Sequence, residues 1–247
     1  YTYIRTQAWA DITEQKGKIT SVLCTSQSNS SDAEIQAAID SWRVGDQALV
    51  LHTYGGIGGK QKEPAAATPI FFGHFAYGVA EVIQEPLADE PRFDICYHQV
   101  YTHNTDGLIA GTLHWSRYMG DRQFGWLGTR PTCDILVKLD AFTDPYTIGS
   151  ITVSPLELMT RQLEVMTARY RIGDGTGGTY VGPANNCSQD SNQALFASIH
   201  ATARTLGENP QTLQLLFQEA GQKQRFRKLQ ALGRDLERTL QPLGGPR

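Results

Sequence analysis

Apolar residues recur along the chain with two periods, and the change from one period to the other separates strands from helices. Short alternating or continuous apolar runs predict β-strands, whereas apolar residues three and four positions apart predict amphipathic helices. Strands are predicted at residues 4–10, 18–24, 47–54, 68–83, 93–101, 108–115, 124–127 and 133–142. The runs 68–83 and 93–101 are expected to pair as neighbours, because one short turn joins them.

The first predicted helix covers residues 32–42. Its apolar residues follow the spacing i, i+3, i+4 and i+7, which is typical of a stripe that faces a core. The residues of this stripe are Ile35, Ala38, Ile39 and Trp42. We therefore expect the stripe to be buried.

Further helices are predicted from their capping signals. Ser154-Pro-Leu-Glu157 is a capping box with proline at the first helical position, and it predicts a helix to about Tyr170. Asn209-Pro210 begins another helix, and the helical pattern continues through residues 225–240. A helix, several strands and then a run of helices indicate the α+β class, with helices packed on an antiparallel sheet.

A cysteine stands at the predicted start of one more helix, which ends near Gly207. Asn185 and Asn186 are good N-caps, and Cys187 follows them directly. A thiol in the first turn faces the positive end of the helix dipole and unpaired backbone N–H groups, which favour the thiolate. Cys187 is therefore a candidate nucleophile, and the alternative is a buried thiol that only fills space.

The residues around this cysteine are candidates for substrate binding. Upstream, residues 171–183 contain five glycines, which suit a loop that lets a substrate approach the backbone. The candidate substrate-binding residues are Gly178, Tyr180, Asn186 and Gln189.

A cysteine nucleophile needs a base and usually a third group that orients the base. His74 is the favoured base because it stands at the head of a predicted strand, directly after Gly73. His98, on the next strand, is the candidate orienting group, and His52 is an alternative base. For each histidine the structural alternative is a hydrogen-bonded, partly buried side chain without a catalytic role.

The order of these residues along the chain resembles the order found in circularly permuted NlpC-type, papain-like hydrolases. This group includes lecithin retinol acyltransferase. Gly45-Asp46 precedes a strand, His74 opens the next strand, a polar residue lies on the following one, and Asn186-Cys187 begins a helix. The resemblance covers residues 42–199. It implies that Cys187 is the nucleophile, His74 the base and His98 the third catalytic residue.

A second resemblance extends over the whole chain. Residues 52–59, 103–121 and 173–195 look like the soluble region of cyanobacterial proteins that also carry a CAAX-protease (abortive-infection) membrane domain. The chain begins at Tyr1 rather than Met, so we expect a fragment tethered to a membrane domain outside it. The glutamate and histidine metal motifs of that protease are not found in these residues.

Composition narrows the range of partners. The net charge of −3 over 247 residues argues against nucleic acid as a partner.

Nucleotide and metal sites are not indicated by the motifs. The run Gly55–Lys60 is one residue short of a phosphate-binding loop, which gives nucleotide binding little support. One group of potential metal ligands lacks the short spacings that are typical of a metal site. Its members are Asp94, Cys96, His98, His103, Asp106 and His114. No metal or other cofactor is expected.

The sequence thus predicts a papain-like α+β domain over residues 1–207 and a helical extension over 208–247. The expected function is a thiol-dependent hydrolase or acyltransferase, in which a Cys187/His74 dyad acts on an amide or ester of a peptide or acyl-type substrate. The alternative is a non-catalytic sensor or scaffold domain attached to a membrane protease.

Overall fold

The computed structural model describes residues 19–24, 31–54, 74–104, 107–116, 132–172 and 186–241. These ranges contain strands and helices in the following order: β1 (Ile19–Cys24), α1 (Asp32–Asp40), β2 (Gln47–Tyr54), β3 (His74–Glu85), β4 (Glu90–Asn104), β5 (Gly107–His114), β6 (Thr132–Val137), α2 (Asp140–Thr143), β7 (Tyr146–Ile148), β8 (Ile151–Val153), α3 (Pro155–Ile172), α4 (Cys187–Gly207), α5 (Pro210–Gln218) and α6 (Ala220–Leu240). The predicted strands at 4–10 and 124–127 lie outside the described residues.

Within the described ranges, six strands form one sheet in the order β1-β6-β2-β3-β4-β5. Strand β2 pairs antiparallel with both β3 and β6, whereas β1 runs parallel to β6. The predicted α+β class and the predicted β3–β4 neighbours are confirmed. Strands β7 and β8 form a separate antiparallel hairpin, whose turn contains Gly149 at φ 59°.

The chain forms two compact units. The described residues up to Tyr97, together with Thr112–Val137, make the first unit, which contains most of the large sheet. His98–Gly111 and the residues from Lys138 onward make the second unit, which contains helices α2 to α6. Helices α5 and α6 therefore share a unit with α4, and the division expected at residue 207 stays a prediction.

One face of the sheet carries the hydrophobic core of the first unit. Its buried members occupy alternate positions along their strands, which places them on one face, and they are Ala48, Val50, Ala80, Tyr97 and Leu136. Trp42 and Phe93 pack against this cluster, with their ring centroids 5.0 Å apart in an edge arrangement.

The expected burial of helix α1 is wrong. Ile35 and Ile39 are 38% and 46% exposed, and no residue of the helix is buried. Local hydrogen bonds stabilise the helix instead, because Ser31 and Glu34 form a reciprocal capping box at its start. The helix ends at Asp40, so Trp42 reaches the core from beyond it.

The strand predicted at 133–142 is wrong in its second half. Strand β6 ends at Val137, and Phe142 lies in the single turn α2. The guanidinium of Arg225 donates to the backbone carbonyls of Asp140 and Asp144. These hydrogen bonds hold the turn in place. That partner is 85 residues away from Asp140, so the apolar pattern alone could not reveal it.

In the second unit both α3 and α6 pack against α4. The close approach of α4 and α6 occurs at Gly233, where an added Cβ would lie 3.0 Å from Ile199 Cγ2. The predicted helix starts are confirmed, since Ser154, Asn186 and Asn209 each accept a backbone N–H of the first turn. None of the helices in the described ranges has the length and apolar character needed to span a membrane.

Strand β4 lies close to Gly78 of β3, and a substitution at Gly78 tests this contact. We expect Gly78→Ala to lower the free energy of unfolding by about 1–3 kcal/mol, because overpacking a tight site forces the backbone to move. The new Cβ would lie 2.7 Å from the backbone oxygen of Cys96. Urea denaturation followed by circular dichroism measures the change.

Gly221→Ala is the matched control, because nothing lies within 4 Å of its added Cβ in helix α6. The control should leave stability unchanged or raise it by less than about 1 kcal/mol. Equal stability of Gly78→Ala and Gly221→Ala would contradict the close β3–β4 contact.

Candidate functional site

A buried carboxylate connects three strands of the first unit. Asp134 on β6 is 2% exposed; its Oδ1 lies 2.6 Å from His52 Nδ1 on β2. The hydroxyl of Tyr97 on β4 donates to Asp134 Oδ2 at 2.5 Å. His52 and Tyr97 are 0% and 1% exposed, and their ring centroids lie 4.6 Å apart with the ring planes tilted by 53°. Both carboxylate oxygens thus have a donor inside the protein.

The chemistry of this network fixes the histidine tautomer. A carboxylate can only accept hydrogen bonds, so the neutral ring of His52 must carry its proton on Nδ1. Its other nitrogen, Nε2, is then the basic one. An aspartate that holds a histidine in this way is the arrangement that orients general bases in hydrolases.

His74 lies on the same face of the sheet as His52. It is the first residue of β3 and is 7% exposed. In the β2–β3 register His52 is opposite Ala76, and His74 is two residues before Ala76, on the same side of its strand. The two histidines predicted as alternative bases are therefore diagonal neighbours in one buried polar region.

Cys187 is the first residue of α4, as predicted. It is half-buried and forms no disulfide. The side-chain oxygen of Asn186 accepts the backbone N–H of Gln189 at 2.9 Å, which defines the N-cap. The thiol therefore lies where the helix dipole and the first-turn N–H groups act.

The first turns of α4 are polar although they are buried. Gln189, Asp190, Ser191 and Gln193 are each at most 7% exposed. Within the described part of the chain, Gln189 Nε2 and Ser191 Oγ have no hydrogen-bond partner. Buried polar atoms are almost always paired, so these two atoms make this end of α4 a candidate binding region.

His98 lies in the second unit and is 4% exposed. Burial lowers the pKa of His98 to about 4, because the charged ring would lose its hydration. The side chain is therefore neutral at physiological pH. Thr167 of α3 donates to the carbonyl of the next residue, Gln99, at 3.4 Å, which joins α3 to this part of β4.

The predicted site residues fall into two groups. His74 belongs to the first unit, where it shares a face with His52; Cys187, Asn186, Gln189 and His98 belong to the second unit. The pairing of Cys187 with His74 stays a prediction, and Gly178 and Tyr180 lie outside the described residues. Asp134 and Tyr97 were missed, because no local pattern links Asp134 to a histidine 82 residues earlier.

Two of the potential metal ligands named in the sequence analysis, Asp94 and His114, lie together in the structure. His114 Nε2 is 2.6 Å from Asp94 Oδ1. No group of three or more His, Cys, Asp or Glu side chains suited to a metal occurs in the ranges that the structure describes.

Comparison of the chain with protein-family models, with curated proteins and with solved structures gives no match. The chemistry of the site is therefore inferred from its geometry.

The buried carboxylate can be tested with Tyr97→Phe. Removing a donor to a charged group should cost about 2 kcal/mol of unfolding free energy. Tyr146→Phe is the matched control: Tyr146 is also fully buried, but its hydroxyl donates to the neutral carbonyl of Ala141 at 2.9 Å. The control should cost about 1 kcal/mol. A cost for Tyr97→Phe no larger than that of the control, in urea denaturation, would contradict the network.

The lowered pKa of His98 predicts a pH dependence of stability. Between pH 6.5 and about 4 the unfolded chain binds a proton on His98 that the folded chain does not. Stability should therefore fall as the pH falls through this window, by up to about 3 kcal/mol from this residue, because one pKa unit corresponds to about 1.4 kcal/mol.

Urea denaturation of the parent and of His98→Gln at several pH values between 4 and 7.5 separates this contribution from that of the carboxylates, which titrate in both proteins. The stability difference between the two proteins should change by about 3 kcal/mol across the window. A difference that is constant with pH would show that His98 is protonated normally in the folded state.

Proposed function

We propose that the protein is a thiol-dependent hydrolase or acyltransferase, and that Cys187 is its nucleophile. The observation that carries the proposal is the position of Cys187: a half-buried thiol at the first residue of a 21-residue helix that a side chain caps. Helix N-termini are where reactive cysteines are found, because the dipole and the first-turn N–H groups stabilise the thiolate.

The buried polar atoms behind Cys187 support the same proposal. A thiol that only filled space would be expected to have apolar neighbours in its helix turn. Instead Gln189 and Ser191 follow it, both buried and each with one polar atom without a partner in the described residues. An amide or ester substrate offers a carbonyl and, in an amide, an N–H that can bind such atoms.

The proposed reaction has two steps. The thiolate of Cys187 attacks the carbonyl carbon of the amide or ester, and a first-turn N–H receives the developing oxyanion. The amine or alcohol leaves with a proton from the base, and water or another acceptor then releases the acyl group. His74 is the proposed base and His98 the proposed third residue, in a papain-like, permuted NlpC-type arrangement.

The buried network of the first unit supports a histidine as the base. Asp134 orients His52 in the tautomer that leaves Nε2 basic, and His74 lies diagonally beside it on the same face. A neutral imidazole can accept a proton on its unprotonated ring nitrogen. His98 is less suited to that step, because burial lowers its pKa to about 4.

Alkylation kinetics test the nucleophile. In the intact chain, iodoacetamide labelling of Cys187 should be fast, with a rate midpoint well below the value of about 8.5 for an ordinary thiol. Cys96 is the internal control: it is also half-buried, but burial and the charge of Asp94 raise its pKa. Peptide mass spectrometry from pH 5 to pH 9 gives both rates.

Three variants identify the base. His74→Ala should slow labelling of Cys187 at pH 7 by about tenfold or more if His74 draws the proton, whereas the same loss in His52→Ala would assign that role to His52. His200→Ala is the matched control, since His200 is exposed and lies more than three helical turns after Cys187 on α4. Labelling of Cys187 as slow as that of Cys96, and unchanged in all variants, would leave the scaffold domain as the better account.

A further inference from the structure

A second group of reactive side chains lies on the opposite face of the same sheet. His114 Nε2 is 2.6 Å from Asp94 Oδ1, and His114 Nδ1 is 2.8 Å from Ser116 Oγ. Asp94 is on β4, and His114 ends the neighbouring strand β5. All three residues belong to the first unit. A serine, a histidine and an aspartate are thus joined by two hydrogen bonds through one ring.

The acid–base chemistry of the ring decides the direction of these hydrogen bonds. The Asp94 carboxylate can only accept, so the neutral imidazole carries its proton on Nε2. Nδ1 is then the acceptor, and the hydroxyl of Ser116 donates to it. The backbone N–H of Ser116 also points at Nδ1, at 3.4 Å, which requires the same tautomer. A hydroxyl that donates to an oriented imidazole is the arrangement that activates a serine nucleophile.

The group is open to solvent. The side chains of His114 and Asp94 are 41% and 36% exposed, and Ser116 is exposed as well. The exposed ring of Trp115 lies 5.8 Å from the His114 ring and offers an apolar surface beside the hydroxyl. A substrate with a short acyl or aryl group can therefore reach Ser116 and contact Trp115.

We propose that Ser116 is a nucleophile activated by His114 and Asp94, and that it reacts with short acyl or aryl esters. The proposal does not depend on the function proposed for Cys187, because it uses different residues on a different element.

The reaction follows from the geometry. Ser116 Oγ forms a bond to the ester carbonyl carbon while its proton passes to His114 Nδ1, and Asp94 stabilises the charged ring. The bond between the carbonyl carbon and the leaving oxygen then breaks, and the alcohol leaves with the proton from Nδ1. Water, deprotonated by the same nitrogen, cleaves the acyl-serine ester and gives the carboxylic acid and the free hydroxyl.

The nearby thiol does not compete for this role. Cys96 lies two residues after Asp94 on the same side of β4, where burial and the Asp94 carboxylate raise its pKa. The thiol therefore stays protonated at neutral pH, while the serine is the group that touches the imidazole.

A fluorophosphonate probe tests the proposal, because it forms a stable bond to activated serines. The intact chain is labelled at pH 7.5, and the site of the adduct is located by peptide mass spectrometry. We expect an adduct on Ser116, a labelling rate about 100-fold lower in His114→Ala, and about tenfold lower in Asp94→Asn. Ser41→Ala is the matched control. The Ser41 hydroxyl donates to the backbone carbonyl of Ala38 rather than to a ring nitrogen, so its removal should leave the adduct on Ser116 unchanged.

Cys187→Ala separates this proposal from the thiol-dependent one. It should leave the adduct on Ser116 unchanged, whatever it does to thiol chemistry. Absence of an adduct on Ser116 in the parent chain, or equal labelling in the parent and in folded His114→Ala, would overturn the proposal.

Discussion

The need to hydrogen-bond a buried carboxylate constrains the register of the central sheet. Asp134 has almost no access to water, and a carboxylate without donors in such a place costs several kcal/mol. Its two oxygens accept from His52 and Tyr97, so three strands must hold one register for the donors to reach. A slip of one residue in β2 would turn His52 to the opposite face and leave the carboxylate with one donor. The diagonal position of His74 beside His52 depends on the same register.

Signals that act over a few residues were readable in the sequence. The capping residues Ser154, Asn186 and Asn209 predicted three helix starts, and each forms its hydrogen bond in the structure. Strand β2 also follows its predicted bounds, since an apolar run between turn residues defines both ends. For the candidate site, the same kind of signal placed Asn186 at the N-cap and Cys187 at the first residue of α4. These positions depend on backbone conformation within one turn or one strand.

Features that depend on distant partners were not readable. The stripe on α1 has helical spacing, yet spacing does not say whether another element covers it, and Ile35 and Ile39 are exposed. Residues near Phe142 have an apolar pattern typical of a strand, but Arg225 holds them in a helical turn. The His52–Asp134 and Asp94–His114 pairs join residues 82 and 20 positions apart. A single sequence contains no local pattern that reveals such pairs, because the charge and size of a histidine or aspartate side chain are compatible with many hydrogen-bond partners.

The burial of His98 bears on the roles within the proposed reaction. A general base acts best when its pKa is near the working pH, because it must be neutral before the transfer and still basic enough to take the proton. With a pKa of about 4, His98 is neutral but weakly basic, so it would hold a thiol proton poorly. A neutral imidazole can still donate one hydrogen bond and accept another, which is what an orienting residue must do. Burial thus makes His98 a poor candidate for the base, and its role as the third residue stays a proposal.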